Sequence, residues 1–512
     1  MFLRCSRPPF RAKPPLHLPL ARPRPYATTS APVGPSTTSV SIDVPGTPRR
    51  AAKREGTIMD VFGTLSGEAV VLPMRFAALK REICANPEKM VYSWQGVLKE
   101  LESTAEEIAA RGADVIPQVL YGDVVRGLST EQIKNVTKAG VIIVKGGVPE
   151  QATLSWKQSI REYARVNADG VKGGPPGNIV FYELYNSRPQ IYARTHPAVI
   201  ATQRALLALW HTSSPSTAVS LHTPVAYFDR LRIRPPGPSV FTLGPHIDGG
   251  GVERWEDPGF RACFGTILNS DAGADWRAHN PFDVTPRLHA KQDLYNAPNQ
   301  CSVFRPWQGW TSLSHTGPGE GTLRVLPMLS LATAYIMLRP FFRLRSSATA
   351  SSLKTADWEL DLDGTAFPGS SPGKTQELNA ETHPHLRLDR TMVSMPRIAP
   401  GDQVYWHCDL VHSVETDHNG LGDSSVLYIP AVPLTEHNAT YLREQRLAFK
   451  GGLPPPDFPG GDGESRFFGC ATTEDVEGVE GRRLLGLEPF EVPSGATAAE
   501  VKLIHAANSI LA

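Results

Sequence analysis

Hydrophobic and polar positions sort the chain into a helical opening, a β-rich centre and a helical end. Long stretches of Ala, Leu, Glu and Lys through Arg75–Ala110 predict two helices, an N-terminal helical layer. Ser129 and Gln132 then form a capping-box pattern that opens a short helix, and Gly140 closes it. The apolar run Val141-Ile142-Ile143-Val144 reads as a buried strand, with Lys145–Pro149 as its exit turn.

From Tyr182 to Tyr428 the apolar runs are short, β-branched or aromatic, and broken by Pro and Gly, which predicts a β-rich core. Candidate strands are Arg230–Arg234, Phe241–Asp248, Phe264–Leu268, Gly309–Ser314, Gly321–Pro327, Gln403–His407 and Ser425–Ile429. Ala332–Phe342 looks helical, Arg345–Thr355 looks like part of an insertion, and Thr497–Leu511 is helix-prone. The expected fold class is α+β with a mainly β core. Its organisation runs from a leader at 1–42, through a linker and helical region at 43–126, to the β domain at 127–450 with an insertion at about 343–390, and a C-terminal extension at 451–512.

Composition narrows the function. The 512 residues carry 52 basic and 51 acidic side chains, so no global field draws the chain to nucleic acid or an anionic membrane, and a small-molecule partner is expected. The longest apolar stretch, Pro327–Leu338, is too short to span a bilayer. Six cysteines lie far apart without a C-x-x-C pair, which argues against structural zinc or a disulfide scaffold and for reduced thiols. Oligomeric state is not legible.

The charge is unevenly placed. Residues 1–42 hold Arg4, Arg7, Arg11, Lys13, Arg22 and Arg24 and no acid, the composition of a mitochondrial presequence, with a cut expected near Tyr26–Ser30. A matrix location follows, with a cytoplasmic protein bearing a Pro-rich tail as the alternative.

The chemistry concentrates in two segments. Gly244-Pro245-His246-Ile247-Asp248-Gly249-Gly250-Gly251 ends a predicted strand, and alternation turns His246 and Asp248 to one face while the glycines let the backbone leave sharply. Far downstream, Pro400-Gly401-Asp402 starts a strand after which His412 follows. Two histidines and one carboxylate make the facial set that suits iron(II) oxygen chemistry, with open positions for a cosubstrate and dioxygen. Their donor atoms should lie ~3 Å apart. A second H-x-D, His407-Cys408-Asp409, should point away from the metal or only support it.

Other motifs are weaker. Gly369–Thr375 imitates a phosphate loop with the wrong spacing, and no G-x-S-x-G elbow exists for a hydrolase. His383-Pro384-His385 reads as loop, and Trp255, Trp307, Trp310 and Trp406 read as core and pocket wall.

The runs Gly244–Gly251, Trp307–Pro327 and Gly401–Ser413 resemble the core of the iron(II)/2-oxoglutarate dioxygenases, nearest in pattern to the phytanoyl-CoA hydroxylase group. More closely, Asp229–Arg234, Glu253–Asp257 and Leu338–Phe342 resemble a bacterial and fungal family of unassigned domains within that superfamily. The resemblance spans about Gly127 to Phe490. It implies a double-stranded β-helix, a jelly-roll or cupin-like core, with iron(II) on His246, Asp248 and His412, and 2-oxoglutarate and dioxygen as cosubstrates in oxidising a small organic molecule.

One departure stands out. Relatives in that superfamily commonly place an Arg ten to fifteen residues after the distal histidine to hold 2-oxoglutarate, and Gly422–Tyr428 contains no base. Arg230, Arg232 and Arg305 are the candidate substitutes; Arg230, Arg232 and Arg234 alternate onto one face, where Asp229 or Glu253 would otherwise pair with them. The alternative is a cupin-like dioxygenase or isomerase that does not use 2-oxoglutarate.

Overall fold

A computed structural model of the chain describes residues 51–512, except 68–69, 176, 239–242, 269–274 and 350–351. The predicted leader and its cut lie outside the described residues, as do Phe241 and Thr242 of the strand predicted to lead into His246.

Thirteen strands build two sheets. In chain order they are β1 (Gln118–Leu120), β2 (Val141–Lys145), β3 (Gly173–Gly174), β4 (Phe181–Tyr182), β5 (Leu231–Arg234), β6 (His246–Ile247), β7 (Trp307–Ser312), β8 (Leu323–Val325), β9 (Gln376–Glu377), β10 (Val393–Ser394), β11 (Gln403–His407), β12 (His412–Val414) and β13 (Ser424–Tyr428). The large sheet is mixed, with spatial order β1-β2-β11-β7-β13-β5-β4-β3 and only the β1–β2 pair parallel. The smaller sheet runs β9-β6-β12-β8-β10. Helices complete a mixed α/β fold, and among the described residues none is long and apolar enough to cross a membrane.

Burial explains which strand faces point where. Leu231 and Ile233 of β5 and Leu427 of β13 pack into one cluster with Ile160 and Tyr163 of the helix Glu150–Val166. Because strand side chains alternate, that packing turns Arg230, Arg232, Val426 and Tyr428 to the opposite side, where all four line a cleft. A second cluster joins the predicted helix Pro87–Arg111, through Trp94, Val97 and Leu101, to the apolar helix Leu329–Leu338 and to β2. The third brings the helices Glu436–Lys450 and Ala498–Leu511 onto Tyr227, Phe228 and Leu434.

Local sequence signals act where expected at several points. Ser129 Oγ accepts from Gln132 N at 3.2 Å and Gln132 Oε1 accepts from Ser129 N at 2.8 Å, while Gly140 ends that helix at φ 73°. The strands predicted at Gln403–His407, Ser425–Ile429 and Gly309–Ser314 are found within two residues of their expected bounds.

Two predicted elements are corrected. Phe264–Leu268 is not a strand: Asp257 caps the helix Pro258–Ala262, and Gly265–Leu268 adds a further helical turn with Ile267 and Leu268 buried. The predicted helix Ala332–Phe342 starts earlier, at Leu329, and ends at Leu338. Pro340 then sits in a 3-10 turn, and Phe342 begins a strand paired with Trp358–Leu360. The predicted insertion is therefore tied into the body, and it supplies β9, which pairs Glu377 with His246. The cysteines Cys84, Cys263, Cys301, Cys408 and Cys470 are all free.

Candidate metal centre

β6 and β12 are hydrogen-bonded neighbours, and their one matched pair is His246 opposite His412. Residues so paired carry their side chains on the same face of the sheet. Asp248 lies two residues beyond His246, where Gly249 (φ 79°) and Gly250 (φ 77°) turn the chain away in a conformation that side chains disfavour. The result brings the three side chains together: the donor atoms lie within 4.8 Å of one another.

The carboxylate turns one oxygen toward each ring. Asp248 Oδ1 lies 3.6 Å from His246 Nε2, and Oδ2 lies 3.7 Å from His412 Nε2. These separations are wider than the expected ~3 Å.

Each imidazole is oriented by the backbone. His246 Nδ1 is 2.6 Å from Gly244 O, and His412 Nδ1 is 3.0 Å from Leu410 O. A carbonyl can only accept, so each Nδ1 donates a proton to it, and Nε2 is the ring atom turned toward the shared point. Burial, with His412 adding to it and Asp248 opposing, pushes His246 down to about 4 and keeps it neutral. Burial works against ionisation of Asp248, but His412, His246 and Arg305 together hold its carboxyl below the ordinary range. Two imidazole nitrogens and one carboxylate oxygen fit a hard-to-borderline divalent cation such as iron(II).

The set lies in a cleft between the two sheets, lined by Trp310 of β7, Trp406 of β11, Val426 and Tyr428 of β13 and Phe62 of the opening segment. Phe62 meets His246 edge-on, with ring centroids 4.9 Å apart. Its turn is pinned by Lys374, whose Nζ donates to Asp60 O at 2.8 Å, and by Thr375 N, which donates to Val61 O at 2.9 Å. Trp255 and Trp307 lie in the core instead, donating to Met337 O and Leu206 O.

The three candidate arginines also line this cleft, in three different settings. Arg305 is closest to the metal set, 3.4 Å from Asp229 Oδ2 and 3.9 Å from Asp248 Oδ2. Arg230 rests its guanidinium 4.5 Å above Phe458 and gives Nε to Asp229. Arg232 is 4% exposed; its Nη2 donates to Gly321 O and Ser424 Oγ, while its Nε has no partner among the described residues. Among the described residues no carboxylate forms an ion pair with Arg232. Arg234 does not join them, because it donates to the carbonyls of Glu415 and Thr416. Glu253, the other suggested partner, accepts from Gly251 N and Gly373 N instead.

His407, Cys408 and Asp409 also cluster, but their polar atoms are engaged elsewhere. Asp409 receives Arg254 on Oδ1 and Arg287 on Oδ2, and two guanidinium groups repel a further cation. His407 is stacked on Trp210, with Nε2 3.1 Å from Pro281 O. Arg254 and Arg287 were not legible as site residues. Arg254 follows the three glycines closely, and a lone base in a buried turn next to a ligand strand is the signal that marks it.

A family model for Gig2-like proteins matches residues 70–487. The chain belongs to the Gig2-like family. It is similar to the Escherichia coli K12 protein YbiU, 32% identical over 393 residues, or 74% of this chain and 87% of that one. A Gig2-like crystal structure, GlcNAc Inducible Gene 2 (DUF1479) of Candida albicans, superposes with TM-score 0.78 at 31% identity, covering 87% of this chain and 96% of its own. A provisionally assigned oxidoreductase of Salmonella typhimurium LT2 superposes with TM-score 0.69 at 29% identity, covering 81% and 98%.

Proposed function

We propose that this Gig2-like chain is a non-haem iron(II)/2-oxoglutarate oxygenase that hydroxylates a small organic substrate. The convergence of His246, Asp248 and His412 at one buried point of a cleft carries the reading. The likeness to a Salmonella protein provisionally assigned as an oxidoreductase supports it.

The strand path supports a double-stranded β-helix. From β5 to β8, and again from β11 to β13, successive strands alternate between the large and the small sheet. That winding places β6 and β12 side by side although they lie far apart in sequence.

Iron(II) held here would activate dioxygen, which is the oxidant: one oxygen atom would enter a substrate C–H bond and the other would enter succinate as 2-oxoglutarate loses carbon dioxide. The chain does the rest. His246 and His412 present ring nitrogens, Asp248 offsets charge, and Trp310, Trp406 and Phe62 keep water from the reacting space.

Arg232 is the cosubstrate anchor in this reading. Its matched partner across β5 and β13 is Val426, and its guanidinium reaches Ser424 Oγ at 3.1 Å. The base missing from β13 is thus delivered to the same place from the neighbouring strand, with donor capacity left to pair a carboxylate. The test is anaerobic addition of iron(II) and then 2-oxoglutarate. A visible metal-to-ligand absorption band is expected. Iron binding without the band would favour a cupin-like dioxygenase or isomerase, and no iron binding would overturn both.

A further inference from the structure

We propose that the substrate of this site is a small organic acid, its carboxylate seated on Arg230 beside the amides of Asn299 and Gln300. This deepens the oxygenase reading and rests on it.

Charge in the cleft points to an anion. The cations Arg230, Arg232 and Arg305 face the carboxylates Asp229 and Asp248, and Asp229 is shared by Arg230 at 3.2 Å and Arg305 at 3.4 Å. Two buried guanidinium groups thus divide one carboxylate between them, and a ligand anion on Arg230 would give each cation its own partner. Glu183 feels Arg230 but forms no ion pair with it among the described residues.

Hydrogen bonding points the same way. Gln300 is 4% exposed, and its Nε2 is a buried donor without a partner among the described residues; Asn299 Nδ2 is another, on a backbone held at φ 58°. Both residues line the cleft. Among the described residues Arg230 donates a side-chain hydrogen bond through Nε alone, leaving its terminal nitrogens available.

These donors belong to one neighbourhood. Ser302, two residues after Gln300, binds Asp457 through N at 2.9 Å and Oγ at 2.6 Å, and the adjoining Phe458 carries the Arg230 guanidinium. Unsatisfied donors with no matching acceptor select a ligand rich in acceptor oxygens. Around them the lining is apolar, with Ile58, Val61, Phe62 and Phe181, so the acid carries a hydrocarbon body.

The experiment uses full-length protein loaded with Mn(II), which keeps the divalent charge without turnover, and with 2-oxoglutarate. Phenylacetate, 3-phenylpropionate and 4-phenylbutyrate are titrated calorimetrically against their primary amides. The best acid should bind roughly tenfold or more tighter than its amide. Arg230→Gln should erase that preference while 2-oxoglutarate still binds. Gln300→Leu, which leaves Asp229 its partners, should weaken the acid several-fold and the amide less. Equal binding of acid and amide, no binding of any acid, or indifference to both substitutions overturns the proposal. Loss of 2-oxoglutarate binding in Arg230→Gln also overturns it, by making Arg230 the cosubstrate anchor. Failure of Mn(II) or 2-oxoglutarate to bind the unaltered protein strikes the metal-site reading first and removes this one with it.

Discussion

Arg254 and Asp409 form a buried ion pair at 2.8 Å, and the same guanidinium holds the backbone on which Asp248 sits. Its Nη2 donates to Asp248 O at 3.1 Å and to Gly249 O at 3.2 Å, and its Nε donates to Gly250 O at 3.3 Å. The second H-x-D of the chain thus fixes the first. Asp409 orients Arg254, and Arg254 clamps the glycine turn that aims the Asp248 carboxylate.

Arg254 is therefore expected to act as a positioning residue. Arg254→Met should weaken Mn(II) binding ~10–100-fold, the usual effect of removing support behind a metal ligand. It should also destabilise the fold by about 3–5 kcal/mol, because Asp409 loses one of two buried partners. A double-mutant cycle with Asp409→Asn, read by calorimetry for metal and by denaturant for stability, should show strong coupling in both. Unchanged metal affinity in a folded Arg254→Met protein would reduce the pair to a structural one.

The ligand set predicts a stability effect that needs no substrate. A cation held only by the folded chain stabilises it by about 2.7 kcal/mol at a concentration 100 times its Kd, and so raises the melting point. Mn(II) or Fe(II) should produce that rise in the unaltered protein, and His412→Ala or Asp248→Ala should abolish it. A rise surviving both substitutions would place the metal elsewhere.

Much of this site was legible because its parts are local. The H-x-D sits on one strand with its glycine exit, the capping box at Ser129 closes within four residues, and the strand Gln403–His407 follows a Pro-Gly-Asp turn. What escaped was decided by distant partners. Phe264–Leu268 has the composition of a strand, yet the Asp257 cap upstream sets a helical path. The three arginines alternate as expected, but only contacts across strands separate Arg234, spent on two carbonyls, from Arg232. Asn299 and Gln300 carry no pattern at all, since their meaning lies in partners they lack.

A buried acid away from the metal gives a pH-dependent stability. Glu464 is 1% exposed and accepts from Tyr185 N, Asn186 N and the Tyr163 hydroxyl. Burial pushes its carboxyl up to about 7 against these hydrogen bonds, from an ordinary value of 4.5. The folded chain therefore takes up a proton between those values. Its contribution is complete below about 4.5 and is lost as pH rises through about 7. Glu464→Gln keeps an acceptor and removes the titration, so its melting temperature should fall less than that of the unaltered protein between pH 5 and pH 8, on the order of a few degrees. Parallel curves would show that Glu464 ionises normally.

The last prediction concerns Arg232 and Val426, matched across β5 and β13. If a base is needed at this place and the strand that delivers it is secondary, its position can be exchanged. Arg232→Gln should weaken 2-oxoglutarate binding ~10–100-fold, the loss of one charge-assisted bidentate contact at about 1.5–3 kcal/mol, while Mn(II) still binds. Val426→Arg alone adds a second cation and bulk to a tight wall, and should destabilise the protein by about 1–3 kcal/mol. The double variant, Arg232→Gln with Val426→Arg, relieves both faults. The shorter amide on β5 frees room, and the new guanidinium stands on β13, the strand on which the dioxygenases that the sequence resembles commonly carry their base. It should recover part of the lost affinity and exceed Arg232→Gln alone by several-fold, as measured by the absorption band with iron(II) under anaerobic conditions. Recovery would show that the cleft reads the position of the guanidinium and not its strand of origin. If Arg232→Gln binds 2-oxoglutarate normally, Arg305 is the remaining base beside Asp248, and the anchor has to be sought there.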